Sequence, residues 1–191
     1  SLFVSLAKRG TMSQFLETER LLLRPVEAAD RRALVPLIND FDVSKFLSRV
    51  PYPYTEEDFT AFMERAEKGL KAGNDYVFAI LLKPDVFIGL MGVHRVDDWE
   101  FGYWVGKPYL RRGYTTEAGR RVLRYAFEGL KADRLNAGWF HDNPRSGRVL
   151  AKLGFVRAGE AEMNCVSRGV TVNCHRVALD RATYMTRNMV S

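Results

Sequence analysis

The stretch Leu110-Arg111-Arg112-Gly113-Tyr114-Thr115-Thr116-Glu117-Ala118 decides how this chain is read. A basic loop with a glycine runs directly into an amphipathic helix, expected over Thr116 to Leu130. There Ala118, Val122, Ala126 and Leu130 share one face, with Leu123 and Phe127 beside them. Just upstream, Trp99-Glu100-Phe101-Gly102-Tyr103-Trp104-Val105 reads as a strand. The order strand, loop, helix leaves the first backbone N–H groups of the helix unpaired, and the helix dipole favours an anion in front of them. Gly113 lets a ligand come close to the backbone. An ordinary strand-to-helix turn fits the same residues, so this loop alone does not separate the two readings.

A second motif lies downstream: Asn143-Pro144-Arg145-Ser146, then Lys152-Leu153-Gly154-Phe155, read as a short helix over Ser146 to Leu153 with a glycine stop. The remaining elements follow from periodicity and punctuation. Leu21 to Arg24 is a strand stopped by Pro25. A helix from about Asp30 carries Leu34, Leu37, Ile38 and Phe41 on one face. Thr55 with Asp58 forms a capping box for a helix whose stripe is Phe59, Phe62, Met63, Ala66 and Leu70, ended by Gly73. Tyr76 to Leu82, Val86 to Val96 and Glu100 to Val105 make an antiparallel meander. Arg134 to His141 is a further strand, and Val156 to Asn164 with Val172 to Leu179 closes the fold as a hairpin. The expected fold is α/β of the mixed α+β kind: a central, mixed but mostly antiparallel sheet with helices on both faces.

The 191 residues suit a single domain over 17–191, with 1–16 an N-terminal extension or a cloning remnant. No apolar run is long enough to span a membrane, and no export signal is evident, which points to a cytoplasmic protein. Cys165 and Cys174 make no metal spacing; they flank a turn and are read as packed free thiols. No metal site is expected. The net charge of +6 admits nucleic acid, anionic membrane or an anionic cofactor as partner. Basic residues gather around the glycine loop (Arg111, Arg112, Arg120, Arg121, Arg124) and on the second short helix (Arg145, Arg148, Lys152), and no alternation of aromatic and basic residues suggests base stacking.

These motifs together resemble the GNAT acetyltransferase superfamily, in its RimJ/RimL-type branch. Thr18-Glu19-Arg20-Leu21-Leu22-Leu23-Arg24-Pro25 is similar to the branch's opening strand. Glu100 to Val105 looks like the strand before its cofactor loop, and Gly113 to Ala118 like its pyrophosphate loop. Asn143 to Phe155 matches its "N-x-x-S … K-L-G-F" element. The resemblance runs from about Glu17 to the C-terminus. It implies an N-acetyltransferase in which a primary amine attacks acetyl-CoA directly in a ternary complex, the amine being that of a protein or peptide N-terminus or of a small molecule such as a polyamine or antibiotic. It implies acetyl-CoA as the cofactor, no nucleic-acid or membrane partner, and leaves a homodimer open. A catalytically silent acyl-CoA-binding module is the alternative reading.

On this resemblance the coenzyme contacts are Val105, Arg111, Arg112, Gly113, Tyr114, Thr115, Thr116, Asn143 and Ser146. Leu110 and Thr115 depart from the family's loop pattern. Asn143 is read either as a contact to the pantetheine arm or as the N-cap of its helix. The tyrosine that many members use as general acid is replaced by Leu150, so Ser146 is the candidate to solvate the leaving thiolate; it is otherwise a first-turn helix residue. Glu100 is the candidate base, otherwise a surface carboxylate, with His94 and His141 behind it. Tyr52, Tyr54, Tyr103 and Trp104 are the candidate acceptor-site residues, otherwise core.

Overall fold

The computed structural model describes residues 15–189, residue 189 by its backbone alone. The expected extension over 1–16 lies outside the described residues except at its end. There Leu16, 1% exposed, opens β1 (Leu16–Glu17) and pairs with Leu23. The other strands are β2 (Leu21–Pro25), β3 (Asp75–Leu82), β4 (Val86–Arg95), β5 (Trp99–Val105), β6 (Arg134–Phe140), β7 (Val156–Cys165) and β8 (Val170–Asp180). They form one eight-stranded sheet in the order β1-β2-β3-β4-β5-β6-β8-β7. Every pair is antiparallel except β5 with β6.

Six α-helices flank it: α1 (Arg31–Ile38), α2 (Phe41–Ser44), α3 (Glu56–Ala72), α4 (Tyr114–Arg124), α5 (Pro144–Leu153) and α6 (Arg181–Met189). Alternation along the strands divides the core in two. Phe78, Ile88, Met91, Phe101 and Leu135 face α4 and α5. Ala79, Leu81, Leu90 and Trp104 face Leu34 and Ile38 of α1 and Phe59 of α3. Arg24, on that second face, holds the buried Asp30 with both guanidinium nitrogens at 2.7 and 2.9 Å, while Asp30 also accepts from the Glu27 N–H. Desolvation is thereby compensated at the start of α1.

The capping box at Thr55 and Asp58 forms as expected, and α3 ends with Gly73 in the left-handed region. Three expectations are corrected. The helix from Asp30 does not reach Phe41: Asp40 starts a new short helix by accepting from the Asp42 N–H, which turns Phe41 outward to 41% exposure. The helix expected to Leu130 is α-helical only to Arg124 and continues as a π turn over Tyr125–Gly129. The wider turn lets the consecutive Tyr125, Ala126 and Phe127 all be buried, which an α-helical face does not permit. The hairpin does not close the chain: α6 follows, started by Asp180 accepting from the Thr183 N–H, and its Tyr184 stacks on Phe127 at 4.6 Å. Asp180 was the available N-cap signal.

Candidate active site

β5 and β6 are paired only at Trp99–Leu135 and Glu100–Asn136. Beyond those residues the two strands part, so one edge of β5 from Phe101 to Val105 has no strand partner. A cleft of about 660 Å³ opens in the splay. Its walls come from β5, from Ala137 to Phe140 of β6, from the start of α5 (Asn143, Arg145, Ser146) and from Leu110 and Thr115. Backbone groups without partners at the edge of a cleft invite a ligand that pairs like a strand.

The loop into α4 leaves backbone donors open at the helix start. Arg111 and Gly113 both have positive φ, 63° and 81°, and Gly113 is the N-cap without any side chain to satisfy the first turn. The first N–H groups of α4 are therefore free for a ligand. Arg111 and Arg112 are exposed, Thr115 and Thr116 are half-buried, and the Tyr114 ring is buried. Arg20 fixes the loop from behind. It pairs with Glu117 at 2.6 Å, donates to the Arg112 carbonyl at 3.1 Å and lies over the Tyr114 ring. Glu117 also accepts from Thr18 Oγ1 at 2.6 Å and from the Arg20 N–H at 3.0 Å. These donors outweigh desolvation and hold its carboxyl below the usual range. The opening motif Thr18 to Arg20 thus braces the anion loop.

Across the cleft, Asn143 starts α5 without a side-chain hydrogen bond to the helix, and it lines the cavity. Ser146 Oγ lies 2.7 Å from Tyr103 Oη, a bridge from α5 to β5. Burial pushes the Tyr103 phenol up to about 12, with the Ser146 contact opposing. Tyr103 keeps its proton and holds the serine hydroxyl at the cleft. Leu150 is 1% exposed and closes the cleft floor.

On the α1/α3 face, Glu100 accepts from Arg176 Nη2 at 2.5 Å. The Arg176 side chain crosses Gly138 on the intervening strand, where a Cβ would sit 2.8 Å from its Nη1. One Glu100 oxygen is taken by Arg176, and among the described residues the other accepts no hydrogen bond. A second chamber of about 510 Å³ joins the cleft here, sharing Leu47, Arg49, Val50, His94, Gly102, Tyr103 and Trp104 with it. Gly92 and Gly102 face each other across β4 and β5, so bare backbone floors part of the junction. His94, half-buried, lines both chambers; burial is the main cause that lowers its pKa, and the Arg49 charge adds to it. His141 is exposed and lines neither.

The aromatic candidates divide. Tyr103 and Trp104 line both cavities, and Trp104 is also core, 9% exposed. Tyr54 is buried and lines the second chamber; burial pushes its phenol up to about 12. Tyr52 lines neither chamber; it stands 46% exposed against Phe41. Sequence reasoning missed Arg176, Asp75 and Arg168. Arg168 donates to the Lys45 carbonyl at 2.6 Å, pairs with Asp142 at 2.8 Å and lies over Phe46 and Phe140, tying residues 43–50 across the cleft. Nothing local in the sequence marks these three: the partners of Arg176 and Arg168 are far along the chain, and the chamber that Asp75 lines is made only by the fold. Both cysteines are free and buried, and in the hairpin register neither faces the other.

A sheet splayed beside an anion-binding helix start, with a second chamber meeting the splay, is the architecture of an acyl transferase that brings two substrates together. The acetyltransferase (GNAT) domain profile matches residues 20–156. The N-acetyltransferase YnaD of Bacillus subtilis is 31% identical over 81% of this chain and 89% of its own. The putative ribosomal N-acetyltransferase YdaF of the same organism is 27% identical over 75% and 81%. A GNAT-family acetyltransferase structure from Bacillus anthracis superposes with a TM-score of 0.76 at 25% identity, covering 88% of this chain and 99% of that one. The chain belongs to the GNAT family and is an N-acetyltransferase. No helix among the described residues is long and apolar enough to cross a membrane.

Proposed function

We propose that the chain transfers the acetyl group of acetyl-CoA to a primary amine by direct attack in a ternary complex. The acceptor of first choice is the α-amine of a peptide or protein. The observation that carries the reading is the junction of the two cavities at Gly102, with the anion loop at one end of the splay and a separate, aromatic-walled chamber at the other. Acetyl-CoA enters as substrate from the loop side. The N–H groups after Gly113 and the Arg111 and Arg112 side chains take its phosphates. The free edge of β5 near Val105 pairs with the pantetheine arm and offers an N–H to the thioester oxygen as charge builds there. Asn143, not used as a cap, holds the arm from the far side.

The acceptor comes from the second chamber. Glu100, through its remaining oxygen and a water, receives the ammonium proton before attack. The amine lone pair then forms the new C–N bond at the carbonyl carbon. As the tetrahedral adduct collapses the C–S bond breaks, and the second nitrogen proton passes to the departing sulfur to give the amide and free coenzyme A. The Ser146 hydroxyl, oriented by Tyr103, hydrogen-bonds that sulfur. The resemblance of YdaF and of the RimJ/RimL branch supports a protein amine as acceptor. The single-domain boundary over 17–191 belongs to the same proposal.

The test is a screen of peptides, polyamines and aminoglycosides with acetyl-CoA, read by thiol release and by mass. Acetylated amine product supports the reading. Acetyl-CoA binding with no acceptor turned over would leave the silent acyl-CoA-binding module.

A further inference from the structure

The second chamber holds a carboxylate that the chemistry above does not use. Asp75 opens β3 and sits directly opposite His94, which in turn sits opposite Glu100. The three make one row across β3, β4 and β5. At about 4.8 Å between strands, the Asp75 backbone stands roughly 10 Å from that of Glu100. Asp75 is half-buried and lines the chamber, and its carboxylate makes no hydrogen bond and no ion pair among the described residues.

Helix α3 makes room for it. Gly69 lies within α3, and a Cβ there would sit 2.4 Å from the Asp75 Cβ. A glycine inside a helix is disfavoured against alanine, so the sequence carries a penalty at the point where Asp75 is accommodated. Elsewhere in the same chamber the lining includes Tyr54, Phe62 and Trp104. A carboxylate without a donor, in a chamber that also has aromatic walls, favours an organic cation long enough to meet both.

Burial pushes the Asp75 carboxyl up to about 6, and the Arg49 and Arg65 charges hold it from rising further. At pH 8 it is an anion. Arg49 and Arg65 are themselves exposed at the chamber rim, where solvent and salt weaken their repulsion of an incoming cation.

We infer that the acceptor carries a second cationic group, an ammonium or guanidinium, which Asp75 and the aromatic walls of the chamber bind while the reacting amine lies at the junction near Glu100. The inference rests on the N-acetyltransferase reading of the same site. Two sources share this chemistry: a linear diamine, or a peptide whose second residue is basic.

The experiment compares cadaverine with pentylamine, and an Ala-Lys peptide with its Ala-norleucine counterpart, in the wild type and in Asp75→Asn. A hydrogen-bonded charge in such a setting is worth about tenfold or more, so kcat/KM in the wild type favours the cationic member of at least one pair by that factor. In Asp75→Asn the ratio within that pair falls toward one. The pair that shows the preference identifies the source. Calorimetry of cadaverine and the Ala-Lys peptide into the enzyme saturated with coenzyme A reads the site without turnover: at least one binds the wild type, and about tenfold more weakly or not at all to the variant. Equal use of both members of both pairs, or a preference that survives Asp75→Asn, overturns the second-cation site and leaves the acetyltransferase intact. Failure to acetylate any amine, with this binding and its loss in the variant still seen, overturns the acetyltransferase reading and leaves the cation site.

Discussion

Arg176 on β8 reaches over Gly138 of β6 to hold Glu100 of β5 at 2.5 Å, so the ion pair spans the strand at which the sheet begins to splay. Two features meet in one carboxylate: one oxygen accepts from Arg176, and the residue lines the cleft. A lone carboxylate at a strand end would be free to rotate, whereas this one has a fixed orientation.

Glu100→Gln is therefore expected to lower kcat by about 10²-fold or more, the usual worth of a positioned acid–base group. Acetyl-CoA affinity should stay near that of the wild type, because the anion loop lies elsewhere. Kinetics from pH 5 to 9 with a known acceptor check this. An unaltered kcat assigns the proton to water or to His94.

The Tyr103–Ser146 bridge predicts a coupled pair. Ser146→Ala and Tyr103→Phe should each cost at most about 10²-fold in kcat. Because Tyr103 acts by orienting the serine, the double variant should lose little more than the worse single one. Fully multiplicative losses in the double-mutant cycle would separate the two hydroxyls.

Gly113→Asp should abolish acetyl-CoA binding by calorimetry. It sets a negative charge where phosphate is expected, and it forces a side chain onto a φ of 81°. Glu117→Gln should weaken binding by about tenfold, since the bracing by Thr18 and Arg20 is charge-assisted. Unchanged affinity in a folded Gly113→Asp protein would move the phosphate site.

Asp75 sets a pH dependence of stability. Its folded pKa, about 6, is raised above the ordinary 3.8, so the folded state holds its proton more tightly than the unfolded chain does. Between those values the unfolded chain has already released its proton, and stability falls as pH rises through that window. Asp75→Asn should then melt at a higher temperature than the wild type at pH 8, with the difference vanishing below about pH 4. Thermal unfolding by circular dichroism at both pH values decides this. A variant that is less stable at pH 8 would mean that Asp75 has a structural donor.

Much of the site was readable in the chain because local rules govern it. The glycine loop, the strand before it and the Asn143 helix start are each specified within ten residues of their neighbours. The capping box of Thr55 and Asp58 was readable for the same reason. The aromatic loop was not: Tyr52 and Tyr54 are alike in sequence, yet Tyr54 is anchored inside because its N–H and C=O bond the Asn39 side chain, both at 2.7 Å, while Tyr52 turns out onto Phe41. Fifteen residues separate Asn39 from Tyr54, and only the packing of α1 brings them together.

The sequence by itself determined the family, most of the strands and helices, and the glycine loop that opens α4. Each of these depends on periodicity, caps or backbone freedom, which act over a few residues. The tertiary structure alone decided which groups converge on the reaction. Arg20 lies 97 residues from Glu117, Arg176 lies 76 from Glu100, and Ser146 lies 43 from Tyr103. Their pairing depends on strand order, register and the point at which β5 and β6 part, quantities set by the sum of core contacts and carried by no single segment.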